Sequence, residues 1–204
     1  MSSISSLLEK NNEHHRILTR AGAIAEEQSL PCYLVGGYVR DTLLNLQTSD
    51  IDLMVVGDGI KFAHLLSKAL GVNKVVEFKD FGTAIIPYNN IEIEIASART
   101  EVYSEDSRNP EVTFTSFEND MSRRDFTVNA IAASILPESY GQIHDPFGGI
   151  KDLQKGLIIT PLDPDSTFKD DPLRMLRAIR FSSQLNFDIA ANLIDSISRN
   201  KARI

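Results

Sequence analysis

Hydrophobic positions along the chain change period several times, and each change marks an element. Ile4, Leu7, Leu8, Ile17, Leu18, Ala21, Ile24 and Ala25 recur at helical spacing from residue 3 to about 27, predicting one amphipathic leading helix that Pro31 ends. A short apolar strand, Cys32 to Val35, runs into a Gly36-Gly37 turn and a helical stretch through Val39, Leu43 and Leu44. Ile51 to Val56 reads as a second strand between Thr48-Ser49 and Gly57-Asp58-Gly59, and Phe62, Leu65, Leu66 and Leu70 mark a further helix. Val72 to Phe78, Thr83 to Pro87 and Ile91 to Ala96 read as three strands, the last two joined at Tyr88-Asn89-Asn90. In the last of them Ile91, Ile93 and Ile95 alternate with Glu92 and Glu94, which gives one apolar and one acidic face.

The second half is less regular. Residues 99 to 116 are charged, hold Pro110 and lack periodicity, so they read as a mobile loop. Phe126 to Leu136 reads as a helix, Asp145-Pro146-Phe147-Gly148-Gly149 as a turn and Asp171 to Leu185 as a strongly patterned helix. A last amphipathic helix is expected from Ile189 to about Ser198. Strands interleaved with helices point to an α/β or α+β fold, and no internal repeat is visible.

Composition narrows the class. With 42% hydrophobic and 24% charged residues in 204, the chain is expected to fold as a globular protein. The lone Cys32 lies in an apolar run and reads as a buried reduced thiol in a cytoplasmic protein. Met1 to Leu8 lacks a signal-peptide pattern, and no apolar run has the length of a membrane span. A net charge of -7 argues at first against nucleic acid. The charge is uneven, however: residues 1 to 120 hold 10 basic and 18 acidic groups, and 121 to 204 hold 11 and 10.

Three constellations carry chemistry. In Leu34-Val35-Gly36-Gly37-Tyr38-Val39-Arg40-Asp41, two glycines after a strand let backbone N–H groups approach an anion, and Arg40 stands one turn on to clamp a phosphate. Most Gly-Gly turns are only turns, but Asp50-Ile51-Asp52 comes soon after. Two carboxylates two residues apart repel unless a divalent cation neutralises them, and hard oxygen ligands suit Mg²⁺. Glu94 offers a third carboxylate if its strand lies beside Ile51 to Val56, whereas Glu92 reads as a solvated side chain. The second constellation is Arg123-Arg124-Asp125-Phe126-Thr127-Val128-Asn129-Ala130, where adjacent arginines reach polyphosphate oxygens and Asp125 holds a guanidinium or caps the expected helix after it. The third runs from Asp170 to Phe181. Asp171 is the expected N-cap with Pro172 at the first helical position, and Arg174, Arg177 and Arg180 form a basic stripe. Asp171 and Arg174 have the acceptor and donor groups to read a base edge, while Arg177 and Arg180 meet phosphates.

These strings, in this order, resemble the class II tRNA nucleotidyltransferases, the CCA-adding enzymes, which share a catalytic head with bacterial poly(A) polymerases. The resemblance runs from about Tyr33 to Ile204. It implies an N-terminal helix over 1–30, a nucleotidyltransferase head over 31–150 with a mixed β-sheet flanked by helices, and the start of a helical neck over 151–204. Asp50 and Asp52 are implied as ligands of the catalytic Mg²⁺, and Glu94 as the third carboxylate. Gly36, Gly37, Arg40 and Arg124 are implied as contacts of the nucleoside triphosphate. Asp171 and Arg174 stand where the family reads CTP or ATP, Arg177 and Arg180 at further nucleotide contacts. The stretch 99 to 116 falls at the loop that assists the switch from C to A addition. Asp170 departs mildly from a position often held by Glu.

The implied reaction is transfer of CMP or AMP from CTP or ATP to the 3′ end of tRNA with release of pyrophosphate. A poly(A) polymerase, an A-adding or a CC-adding relative shares the same head, and a non-catalytic nucleotide- or RNA-binding module is the reading from another class. Family members continue into body and tail segments, so the chain is expected to be part of, or a truncated form of, a longer protein.

Overall fold

The computed structural model describes residues 2–102 and 111–204. Helix α1 (Ser5–Leu8) stops, and α2 (Asn12–Glu27) begins afresh where the Asn11 side chain accepts from the N–H groups of Glu13 and His14, both at 3.2 Å. The single leading helix expected over 3 to 27 is therefore two. Strand β1 (Cys32–Val35), α3 (Gly37–Leu43), β2 (Ile51–Val55) and α4 (Gly59–Leu70) come where the hydrophobic pattern puts them. Of the strand expected over Val72 to Phe78, only β3 (Val76–Phe78) forms, before the hairpin of β4 (Thr83–Tyr88) and β5 (Ile91–Ser97). Asn89 takes the left-handed conformation (φ 53°) in that turn, as asparagine readily does.

Residues 99 to 116 are not simply a loop. Strands β6 (Arg99–Val102) and β7 (Glu111–Phe114) pair antiparallel, with the Thr100 and Thr113 hydroxyls 2.7 Å apart across the ladder. Their threonines, valines and Phe114 carry β propensity that the surrounding charges hid. The middle of the expected loop, 103–110, lies outside the described residues.

After α5 (Phe117–Ser122), the expected helix over 126 to 136 is replaced by a 3₁₀ turn, Thr127–Asn129, and a strand, β8 (Ala132–Ser134), which continues to β9 (Ile143–His144). Residues 125 to 135 are buried throughout. A strand covered on both faces loses its alternation, and its alanines then mimic helix composition. The remaining elements are α6 (Gly149–Lys155), β10 (Leu157–Ile158), α7 (Pro164–Asp170), α8 (Leu173–Leu185), β11 (Asp188–Ile189) and α9 (Ala191–Asn200). The Asp145 carboxylate holds the turn before α6 by accepting from the Gly149 and Ile150 N–H groups at 2.7 and 3.0 Å.

The main sheet has the order β3-β4-β5-β2-β1-β8-β9, with β2 and β5 parallel and the other pairs antiparallel. It is a mixed sheet, and its period-two pattern sorts the side chains. Cys32, Leu34, Ile51, Leu53, Val55, Ile93 and Ile95 point to one face, where they share a core with Ile17, Leu18, Ala21 of α2 and Phe62 and Leu66 of α4. Burial in that core pushes the Cys32 thiol pKa up, which keeps it protonated. The opposite face carries Asp52 and Glu94, with a small apolar patch of Val35, Met54, Ala98, Met121 and Ala132 beside them. A second core joins Phe126 and Val128 to Leu153, Ile158, Phe168, Met175, Ala178, Phe181 and Leu193. Two residues of the arginine-rich octapeptide thus anchor the helices that come after it.

Candidate nucleotide site

The uncovered face of the sheet and helix α8 enclose a cleft of about 820 Å³. Its floor is built by register. Strands β2 and β5 run parallel with Asp52 directly opposite Glu94, so two carboxylates meet on the polar face of the sheet. Neither is committed to a hydrogen bond or ion pair among the described residues. Burial, and then the Glu94 charge, push the Asp52 carboxyl up to about 6, against the pull of Arg124 and Arg40. Asp50 is placed differently. It stands just before β2, exposed, and its oxygens accept from Ser49 Oγ at 2.8 Å and from the Glu92 N–H at 3.2 Å. It adds to the negative potential at Asp52 but does not line the cleft.

The rim beside the carboxylates is the Gly36-Gly37 turn. Gly36 sits at φ 66°, ψ -134°, a conformation that only glycine adopts at low cost. A Cβ there would lie 3.4 Å from Arg124 Nη1 and 3.7 Å from Asp52 Oδ2, so this backbone runs between the acidic floor and an arginine. Arg124 and Arg123 are both tied to Asp120, which is 1% exposed. Its Oδ2 accepts from Arg124 Nε and Nη2 at 3.2 and 3.0 Å, and its Oδ1 from Arg123 Nε and Nη2 at 3.1 and 2.6 Å. Burial would raise the Asp120 pKa, but Arg124 and Arg123 outweigh it and hold the carboxyl below its ordinary value. Arg124 Nη1 keeps its donors free among the described residues.

The far wall comes from α3, the 3₁₀ turn and α8. Arg40, buried at the end nearest Gly37, donates to both oxygens of Asp41 at 2.8 and 2.9 Å and to Asn129 Oδ1 at 2.7 Å. Asp125 does cap the residue after it, through the Phe126 N–H at 2.8 Å, but the guanidinium it holds is not Arg123 or Arg124. It is Arg177 of α8, at 2.8 and 2.6 Å. Asp171 is extended ahead of α8, with its Oδ1 accepting from the Leu173 N–H at 3.0 Å. Arg174 is only 8% exposed and lines the cleft, and its side chain has no hydrogen bond or ion pair among the described residues. The guanidiniums of Arg180, Arg40 and Arg177 lie 4.7, 5.1 and 5.4 Å from the centre of the Phe181 ring.

Gly36, Gly37, Arg40, Asp52, Glu94, Arg124, Asp171, Arg174, Arg177 and Arg180 therefore share one cleft. Seven arginines line it against four carboxylates, in a chain whose net charge is -7. Such a surface suits a polyanion that brings a cation with it. Among the contributors that carry no assigned role in the sequence reading are Arg99, Asp120, Asn129 and Phe181. Asp120 was legible in principle, since it stands three and four residues before the arginine pair. Among the described residues no three Asp, Glu, His or Cys side chains are arranged as a complete metal cage. Mg²⁺ does not need one, because it is held by one or two carboxylates and completes its shell with water and phosphate oxygens. The uncommitted Asp52 and Glu94 fit that donor set.

The family model for the poly A polymerase head domain matches residues 32–159. The chain belongs to that family. Among its relatives is an A-adding tRNA nucleotidyltransferase of Aquifex aeolicus (strain VF5), 44% identical over 161 residues, covering 79% of this chain and 19% of the relative. A CCA-adding enzyme of Bacillus pumilus (strain SAFR-032) is 39% identical over 177 residues, covering 86% and 42%. A CCA-adding enzyme structure in an apo form superposes with a TM-score of 0.88 at 33% identity, over 98% of this chain and 49% of that one. A tRNA nucleotidyltransferase complexed with a primer tRNA and an incoming ATP analogue gives 0.77 at 37% identity, over 90% and 50%. The chain thus spans half or less of these relatives. Its mixed sheet with flanking helices is the fold of this poly A polymerase head family, and no described helix is long and apolar enough to cross a membrane.

Proposed function

We propose that this chain is the catalytic head and the beginning of the neck of a tRNA nucleotidyltransferase that adds CMP and AMP, from CTP and ATP, to the tRNA 3′ end. The observation that carries the reading is the single cleft in which a free carboxylate pair faces a crescent of arginines. The two hydrophobic cores support a head formed by the sheet with α2 and α4, and a neck started by α6 to α9. A single buried thiol and nucleoside triphosphate substrates suit a cytoplasmic protein.

In this reading the 3′ hydroxyl of the primer attacks the α-phosphorus, the bond to the β-phosphate oxygen breaks, and pyrophosphate leaves. Asp52 and Glu94, with Asp50 next along the chain, would hold Mg²⁺, which when bound supplies Lewis-acid charge at the phosphates. Arg40 and Arg124 orient the triphosphate beside the Gly36-Gly37 turn, and Arg177 and Arg180 add positive charge along its path. Asp171 and Arg174 present an acceptor and an unpaired donor fork to the base edge, so that protein groups select the nucleotide without a template strand. No covalent intermediate with the protein is required.

An A-adding activity is the second reading, favoured by the 44% identical relative of that name. Incubation with tRNA lacking its CCA end, and with tRNA ending in CC, in CTP alone, ATP alone and both, separates the two. Incorporation of both nucleotides on the first primer supports CCA addition. ATP incorporation restricted to the CC-ended primer supports A addition. Triphosphate binding without any transfer would make the chain a nucleotide-binding module instead.

A further inference from the structure

Asn129 stands at the junction of the two cores with both ends of its amide committed. Its Oδ1 accepts from Arg40 Nη1 at 2.7 Å, and its Nδ2 donates to Asp125 Oδ1 at 3.0 Å. That orientation is forced, because a guanidinium only donates and a carboxylate only accepts. The other oxygen of Asp125 carries the two bonds from Arg177. The turn that presents Asn129 is itself fixed on every side. The Thr127 N–H donates to the Ile159 carbonyl at 2.8 Å, Thr127 Oγ1 to Asp152 at 2.8 Å, and Phe126 and Val128 are buried in the second core.

We propose that Asn129 is a positioning residue, which relays the orientation of Arg40 in the head to Arg177 in α8, so that both guanidiniums present their remaining donors to one triphosphate. This rests on the nucleotide reading of the cleft. Arg40 and Arg177 both approach the Phe181 ring, at 5.1 and 5.4 Å, so two like charges are crowded at one place. A neutral amide between them accepts from the first and donates to the carboxylate that pins the second. The other polar side chain of this turn, Thr127, gives its hydroxyl proton to Asp152 instead. An aliphatic residue would leave Arg40 Nη1 without its acceptor, so that Asp41 and the Phe181 ring hold the guanidinium with no link to Asp125. A carboxylate at position 129 would face Asp125 at hydrogen-bond distance, where two negative charges repel.

The test is calorimetric binding of MgATP and MgCTP to the whole 204-residue chain, with melting temperature measured in parallel. Asn129→Ala should weaken both nucleotides about tenfold, the scale of one charge-assisted hydrogen bond lost from a sheltered site. Asn129→Asp should weaken them at least as much. Asp125→Asn combined with Asn129→Asp exchanges donor and acceptor within the pair and should recover part of the loss, which a role confined to packing does not anticipate. A folded Asn129→Ala chain that binds within about twofold of wild type overturns the relay, being well short of the loss of a charge-assisted bond. So does a swap that binds no better than Asn129→Asp alone, and that comparison decides the matter if the alanine variant does not fold. Absence of binding by the wild type would instead remove the nucleotide reading itself.

Discussion

Asp52 of β2 and Glu94 of β5 face each other across the parallel strand pair, on the one face of the sheet that the α2 and α4 layer leaves open. Without a cation the arrangement carries a cost that falls on Asp52, through its burial first and the charge of the exposed Glu94 second. The protein keeps them there beside an arginine-lined cleft, and their cost should be measurable.

Asp52→Asn should abolish nucleotide transfer and stabilise the metal-free fold at neutral pH. The Asp52 carboxyl is raised in the folded state to about 6 from an ordinary 3.8. The folded protein therefore holds this proton more tightly than the unfolded chain. The resulting stabilisation is fully present below the unfolded value and is lost as pH rises through about 6, a difference on the order of 3 kcal/mol. Urea melts in a chelator, from mildly acidic to mildly alkaline pH, should show the wild type losing stability relative to Asp52→Asn. Adding Mg²⁺ should close the gap at the alkaline end. Parallel profiles for the two proteins would show that the pair is not strained.

Asp120→Asn should act in the opposite sense. Its carboxyl is held low by Arg124 and Arg123 against the cost of burial, so its stabilisation is present above the unfolded carboxylate value and disappears as pH falls through the lower folded one. Removing the charge takes from Arg124 and Arg123 the carboxylate they share, although Arg123 keeps its bond to the Arg99 carbonyl, and should cost about 3 kcal/mol at neutral pH. Equilibrium urea titrations at neutral pH and in acid, below the folded value, check this. The variant and wild type should differ clearly at the first and converge at the second.

Arg174→Met tests whether an unpaired buried cation waits for a ligand. The Arg174 side chain has no hydrogen bond or ion pair among the described residues, so replacing it with an apolar side chain of similar length breaks no polar contact of the fold. The melting temperature should stay level or rise, while affinity for CTP and ATP drops about tenfold or more, as expected for hydrogen bonds from a charged group. A marked fall in melting temperature with binding intact would assign Arg174 to the fold.

Gly36→Ala probes the turn. At φ 66° and ψ -134° an alanine is strained by roughly 1–3 kcal/mol, and its Cβ meets Arg124 Nη1 at 3.4 Å. Both stability and triphosphate affinity should decline together. Gly71→Ala provides the control. It carries a left-handed strain (φ 72°) with nothing within 4 Å, and should lower stability without touching affinity.

Much of this architecture was readable from local pattern. The alternation in Ile91 to Ile95 assigned Glu94 to a polar sheet face, and the strand, Gly-Gly turn and helix around Gly36 appear with Cys32–Val35 at its expected bounds. These features depend on the period of side chains along one segment and on the conformational freedom of glycine, both properties of a few adjacent residues. The stretch 126 to 136 shows where that logic ends. Its burial on both sides erased the period, and a central strand replaced the expected helix.

The site itself needed the fold. Three acidic residues were legible as candidates, but the parallel register of β2 with β5 pairs Asp52 with Glu94 and leaves Asp50 bonded to Ser49 and the Glu92 N–H. The Asp125 side chain, adjacent in sequence to two arginines, holds a third one 52 residues away. Local spacing sets which face of an element a side chain occupies. Which charges meet is settled by chain segments far apart, through the burial of the two cores that brings them together, and no window of sequence contains that energy.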